Sequence, residues 1–183
     1  AMPSVFSFPN FRISKFSNWL IALSLLSIVC GLSSCKVYSF TGANIPADVH
    51  TVSVEMFQNR ASNGPASLSQ SFTDKLKFKM QTEANLRQVA SEGDLQFSGS
   101  ISGYTYTSDA PVANATSGLN KLTITVQVHF VNAHDEKDKW DQTFSRYAQY
   151  SASDDISSVE DRLIGEINTQ LVDDIFQKAL VKW

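Results

Sequence analysis

The chain contains 183 residues, of which 43% are hydrophobic and 18% charged, with 15 basic against 18 acidic side chains and two cysteines. This composition is typical of a globular protein. It excludes a disordered or collagen-like chain, a disulfide-rich miniprotein and a strongly basic nucleic-acid binder. Because domains commonly contain about 100–200 residues, we expect one domain.

The first 34 residues predict a signal peptide. Arg12 and Lys15 precede an apolar run from Trp19 to Leu32, and no Asp or Glu occurs before Asp48. A helix that crosses a bilayer needs about 20 apolar residues, so this shorter run suits a signal peptide better than a transmembrane helix.

The sequence Leu32-Ser33-Ser34-Cys35 resembles the bacterial lipobox. The resemblance implies that the Cys35 thiol carries a diacylglyceryl group and that cleavage occurs before Cys35. The alternative is an ordinary cysteine after an ordinary signal. Cleavage removes Cys30 and excludes a disulfide, and beyond the acyl lipid we expect no cofactor. Residues 35–48 lack helical or strand periodicity and predict a lipidated tether.

A single domain is expected over residues 49–183, and its first element is a strand. Polar and apolar residues alternate from His50 to Phe57. This period of two is typical of a half-buried strand, with Val52, Val54 and Met56 on one face.

Two helices are predicted, over residues 68–83 and 156–180, because apolar residues recur there at helical spacing. Each has a Ser followed three residues later by Gln or Glu, which is the pattern of a capping box. These pairs are Ser67 with Gln70 and Ser157 with Glu160.

Three long strands are predicted over residues 94–107, 121–131 and 140–150, with a short strand near 86–89. The expected fold is therefore α+β, with two helices packed on one face of a mainly antiparallel sheet of about four strands. The loop 107–120 is the first candidate interaction surface, although a hairpin tip without a role fits it equally well.

Motifs for catalysis are scarce, so we do not expect an enzyme. Residues 99–103 read Gly-Ser-Ile-Ser-Gly and place isoleucine where a nucleophilic serine would stand. His134 lies beside Asp135, Glu136 and Asp138. A charged turn in solvent explains this group as well as a divalent-metal site does, and we predict no metal.

Ordered motifs along the chain resemble the LptE family of lipopolysaccharide-assembly lipoproteins, in its divergent Bacteroidota form. They are Cys35-x-x-Tyr38-x-Phe40-x-Gly42, Ile45-Pro46, Phe57-Gln58-Asn59-Arg60, Leu68-Ser69-x-x-Phe72-Thr73, Gly93-Asp94-Leu95-x-Phe97-x-Gly99-x-Ile101-x-Gly103-Tyr104, Leu119-Asn120-x-Leu122-Thr123-Ile124, Phe144-Ser145-Arg146-Tyr147 and Asp173-Asp174-Ile175-Phe176.

The resemblance implies a lipid-anchored, periplasm-facing protein of the outer membrane. Its domain would plug an LptD-type β-barrel and assist the transport of lipopolysaccharide to the outer leaflet. No nucleic-acid partner is expected. Polar outer strand faces would supply the contact surface for the barrel, although a plain solvated sheet would look the same. They include Ser98, Ser100, Ser102, Thr123 and Thr125.

The family's lipopolysaccharide-binding positions cannot be matched here by motif. On chemical grounds the candidates are Arg60 and Lys121, because guanidinium and ammonium groups suit lipid A phosphates. Ordinary surface charges are the alternative for both. A second hypothesis for the whole chain is a free periplasm-facing lipoprotein that binds a small ligand or peptide without a barrel. A third is a structural envelope lipoprotein without a ligand.

Overall fold

The structure is a computed structural model that describes residues 45–109 and 118–181. The predicted signal peptide, Cys35, most of the tether and the centre of the 107–120 loop lie outside the described residues. Among the described residues, no helix is both long and apolar enough to cross a membrane.

Six strands and two helices follow one another along the described chain. They are β1 (Thr51–Val54), β2 (Gln58–Asn59), α1 (Ser67–Thr82), β3 (Arg87–Val89), β4 (Leu95–Asp109), β5 (Leu119–Asn132), β6 (Lys139–Ser151) and α2 (Ile156–Leu180). Both predicted helices, the three long strands and the short strand after α1 are confirmed.

The α+β class is confirmed, but the prediction of about four mainly antiparallel strands was wrong in number and in part of its direction. The six strands form one mixed sheet, in which β3, β1, β4, β5 and β6 are neighbours in this order and β2 pairs with β4. β1 runs parallel to β3 and β4, whereas β4, β5 and β6 are antiparallel. α1 connects β1 to β3 and returns the chain to the same end of the sheet, so these neighbours must run in parallel.

The first strand is interrupted after Val54. The prediction placed Met56 on the buried face with Val52 and Val54, but Met56 is 48% exposed and Phe57 is fully buried instead. The alternation breaks here because the backbone donates from Glu55 N to Phe97 O and then joins β4 again only as β2. The predicted strand therefore ends early, at Val54, and the chain pairs with β4 again only beyond the predicted range, as β2.

A β-bulge divides β4 into two halves. Ile101 pairs with Val126 and Gly103 with Thr125, so Ser102 is an extra residue in β4. Such an extra residue reverses which side chains face the core. Tyr104 therefore takes the buried position that an uninterrupted alternation would give to Gly103.

Both helices pack on one face of the sheet, as predicted. Their apolar stripes and the inward strand residues form a single core, centred on Phe72, Phe97, Phe130, Ile167 and Leu171. β6 is an edge strand of the sheet, so Arg146 on its inward side stays exposed to solvent. Arg146 donates two hydrogen bonds of 2.6 Å to the carboxylate of Asp174 in α2.

The predicted capping boxes were wrong for both helices. At α1 the cap is Ala66, which makes no side-chain cap hydrogen bond, and Ser67 is already helical. At α2 the cap is Asp155, whose carboxylate accepts from Ser157 N at 3.0 Å. Glu160 therefore does not cap α2, and its carboxylate instead accepts hydrogen bonds from β4.

Gly165 in the middle of α2 offers a stability test. A Cβ added there would meet nothing within 4 Å, and the contact of Gly165 with α1 is made by its carbonyl oxygen, which accepts from Lys75 Nζ at 2.9 Å. Because glycine in a helix interior costs roughly 0.5–1 kcal/mol relative to alanine, we expect Gly165→Ala to raise the free energy of unfolding by about that amount. Urea unfolding followed by Trp fluorescence would measure it, and a loss of stability would contradict the open space.

Candidate functional site

The sheet face opposite the helices is polar along β4, β5 and β6. Its outward side chains stand in cross-strand rows. From one end these are Ser98–His129–Asp141, Ser100–Gln127–Thr143, Gly103–Thr125–Ser145, Thr105–Thr123–Tyr147 and Thr107–Lys121–Gln149. The structure thus places Ser98, Ser100, Thr123 and Thr125 on one surface, which we call the bare face, whereas the fifth predicted residue, Ser102, is the unpaired residue of the β-bulge.

A depression of about 530 Å³ lies at one end of the bare face. Its lining includes the two rows that contain Ser98 and Ser100, and it is flanked by Glu55 and Arg60 from the chain beside β4. The lining residues are Glu55, Arg60, Ser98, Gly99, Ser100, Gln127, Val128, His129, Asp141, Gln142 and Thr143. We call this the row depression.

Arg60 reaches the row depression because β2 pairs with β4. Its backbone N donates to Ile101 O at 2.9 Å, which fixes the residue beside the bulge. Its side chain is exposed and forms no hydrogen bond or ion pair within the described residues. The depression also holds two acidic side chains, Glu55 and Asp141. Asp141 binds His129 Nδ1 at 2.8 Å.

Lys121 lies on the same face but at its other end. Its Nζ is 5.1 Å from the centre of the Tyr147 ring, in a cation–π geometry. Lys121 pairs with Thr107, six residues beyond Ile101 in β4. At about 3.3 Å per residue, the two candidate cations are roughly 20 Å apart along the sheet. The structure therefore places both on one face without bringing them together.

A second polar cluster surrounds Asp94, before β4. The carboxylate accepts from His50 N at 2.9 Å and Thr51 N at 2.8 Å, and it contacts His134 Nε2 at 2.9 Å. These hydrogen bonds hold the pKa of Asp94 well below its usual range. Among the described residues, no group of three or more His, Cys, Asp or Glu side chains is arranged to hold a metal.

This network predicts a pH-dependent stability. A carboxylate with a depressed pKa stabilises the fold above its unfolded pKa of about 3.9 and loses that contribution as the pH falls toward its folded value. We expect Asp94→Asn to lower the urea midpoint at pH 7, and the difference from the parent chain to shrink below about pH 4. Equal differences at pH 7 and pH 3 would contradict a role for the charge.

Two tyrosines of β4 bind one carboxylate of α2. The hydroxyls of Tyr104 and Tyr106 each donate to Glu160 Oε1 at 2.7 Å, and their rings meet edge to face at 5.4 Å. Burial, with the hydrogen bonds to Glu160 and Tyr106, raises the pKa of Tyr104 well above its ordinary value. The phenol therefore remains a donor that fixes α2 to β4. Sequence reasoning missed this cluster because it assigned Glu160 to a cap.

The described residues define an α+β domain with one bare polar sheet face, and solved structures share this fold. The hypothetical protein CT253 from Chlamydia trachomatis matches at TM-score 0.50 and 11% identity, covering 73% of this chain and 98% of its own. A neuraminyllactose-binding hemagglutinin homolog from Helicobacter pylori matches at TM-score 0.51 and 12% identity, covering 74% and 86%. At such low identity these likenesses show the fold alone.

The rare lipoprotein B from Shewanella oneidensis is less similar, at TM-score 0.42 and 14% identity, covering 68% of this chain and 91% of that one. No curated protein matches the sequence. The profile of the LptE family, described as lipopolysaccharide assembly, matches residues 49–179. The chain belongs to the LptE family.

Proposed function

We propose that this LptE-family chain is an outer-membrane lipoprotein that faces the periplasm and is anchored by acyl chains on Cys35. Its domain occupies the lumen of an LptD-type β-barrel and assists the passage of lipopolysaccharide to the outer leaflet. The family match over residues 49–179 is the observation that carries this proposal.

The bare face supports a barrel partner because it lacks both a helical cover and a large apolar area. Next to the row depression, two rows are built mainly from hydroxyl side chains, and Thr125 Oγ1 and Ser145 Oγ are 3.0 Å apart. Polar rims of interfaces use such groups for direct and water-mediated hydrogen bonds. We therefore assign the contact with the polar barrel lumen to the half of the face around Thr123, Thr125, Ser145 and Tyr147.

Arg60 and Lys121 remain the candidate contacts to lipopolysaccharide, but their surroundings differ. Lys121 is stacked over Tyr147 at the end of the β4–β5 hairpin, where a phosphate would meet a cation and an aromatic ring. Arg60 shares its depression with Glu55 and Asp141. Both cations therefore stay candidates for the phosphates of lipid A, in different surroundings.

Co-purification tests the barrel partner. The chain would carry an affinity tag after Trp183, be extracted in mild detergent and be analysed by mass spectrometry beside an untagged strain. We expect one large β-barrel in about equal amount. A lipoprotein recovered alone would overturn the barrel proposal and favour a free periplasm-facing lipoprotein with a small ligand.

A pair of matched variants tests the assigned contact. Ser145→Arg places a large cation among the exposed hydroxyls of the bare face, whereas Gln81→Arg makes the same type of change on the exposed side of α1. We expect Ser145→Arg to reduce barrel recovery and Gln81→Arg to leave it unchanged. The reverse result would move the contact to the helical layer.

A further inference from the structure

The row depression contains neutral polar groups with unused hydrogen-bonding capacity. The side chains of Ser98, Ser100, Gln127 and Thr143 make no hydrogen bond to another described residue, although all four line the same depression. The next row along the sheet differs, since Thr125 and Ser145 contact each other. The depression therefore contains donors and acceptors of a kind that the adjacent row satisfies with an internal contact.

The unpaired groups of the depression are accessible to a ligand. Ser100 is only 6% exposed as a residue. Among the described residues, however, Asn168 Oδ1 is the only fully buried side-chain polar atom without a hydrogen-bond partner. The Ser100 hydroxyl, which has no partner either, must therefore reach solvent in the floor of the depression.

The charges around the depression do not favour an anion. Arg60 supplies one positive charge, whereas Glu55 and Asp141 supply two negative charges. His129 also lines the depression, where its Nδ1 contacts the Asp141 carboxylate at 2.8 Å. A phosphate entering here would meet two like charges. A ligand with hydroxyl groups would not, because carboxylates accept hydrogen bonds from hydroxyl groups and a guanidinium donates hydrogen bonds to hydroxyl oxygens.

We infer that the row depression binds neutral, polyhydroxylated ligands, meaning uncharged sugar residues. Gln127, Ser98, Ser100 and Thr143 exchange hydrogen bonds with sugar hydroxyls, the two carboxylates accept from them, and Arg60 donates to them. The inference is independent of the barrel partner, because every group involved belongs to this chain and to the half of the face not assigned to the barrel.

Nuclear magnetic resonance of the lipidated chain would test the site, in a zwitterionic detergent without a sugar head group. Maltotriose, mannotriose and chitotriose would each be titrated to about 20 mM, with inorganic phosphate as the anionic comparison. We expect at least one trisaccharide to shift amide signals of the two depression rows, with no comparable shift from phosphate. No shift from any trisaccharide or from the glycolipid vesicles described below, or a shift from phosphate alone, would overturn the inference.

Two variants locate the binding. Gln127→Ala with Thr143→Ala removes two exposed polar groups from the depression, and we expect the dissociation constant to rise about tenfold. Gln177→Ala, at an exposed position of α2 outside the depression, is the control and should leave it unchanged. Equal weakening by both variants would contradict the assigned site. Thermal unfolding of each variant verifies its fold.

The sugar can belong to a free glycan or to the head group of a glycolipid, and a second arm separates these sources. Vesicles that contain a neutral digalactosyl lipid would be compared with soluble digalactose at equal sugar concentration. Shifts of the row signals with the soluble sugar indicate a glycan site. Shifts with the vesicles alone indicate a head-group site. The double variant Gln127→Ala with Thr143→Ala must remove these shifts. If no sugar binds, the expected co-purification with a barrel is unaffected, so the sugar-site proposal can be rejected without rejecting the barrel proposal.

Discussion

Replacing Cys35 by serine should abolish attachment of the chain to the membrane. We expect the parent chain to incorporate an alkyne-labelled palmitate and to stay in the membrane fraction after an alkaline carbonate wash, and the variant to do neither. The physical reason is the number of acyl chains. Each buried methylene contributes about 0.8 kcal/mol, one chain binds only reversibly, and two or more make the attachment stable.

Cys30 offers the matched control, because the predicted cleavage before Cys35 removes it. Cys30→Ser should leave both labelling and membrane attachment unchanged. Intact mass of the purified chain adds a second readout, since the parent should begin at an acylated Cys35. Label that persists in Cys35→Ser and disappears in Cys30→Ser would contradict the assignment of the lipid to Cys35.

The fold was predictable wherever apolar periodicity is strong. In β5 the inward residues Leu122, Ile124, Val126, Val128 and Phe130 alternate without interruption, and all are buried. The prediction failed where one residue changes the phase of the pattern. Ser102 is an ordinary serine in sequence, yet as the bulge it reverses the inward side of β4. Parallel pairing of β1 was also missed, because alternation gives the faces of a strand but not its neighbours.

The candidate site was predictable in its chemistry but not in its grouping. The sequence shows polar outward positions in β4 and β5, and the structure places them on one face. It does not show that Asp141 comes to lie opposite His129, because their 2.8 Å contact depends on the register of β6. The hydrogen bonds between Glu160 and two tyrosines of β4 depend in the same way on the position of α2. Such contacts arise from tertiary packing and leave no local signal.

Gly99, at the edge of the row depression, should tolerate no side chain. Its φ is +155°, and a Cβ there would overlap the carbonyl oxygen of Gln127 in β5 and lie 2.7 Å from the ring of buried Phe57. A residue of unfavourable backbone conformation and an overpacked core each cost about 1–3 kcal/mol. We therefore expect Gly99→Ala to lower the free energy of unfolding by on the order of 3 kcal/mol, a large part of the stability of a small domain.

The comparison with Gly165→Ala makes this expectation specific to the site. Both changes add one methyl group to a glycine, but the Cβ meets backbone in β5 at Gly99 and open space at Gly165. The two variants should therefore shift the urea midpoint in opposite directions, as followed through Trp140, whose ring stacks at 5.2 Å on Phe130 in the core. A Gly99→Ala variant as stable as its parent would show that β4 and β5 separate without cost at this point, and the close approach that shapes the edge of the row depression would then not be a fixed feature of the fold.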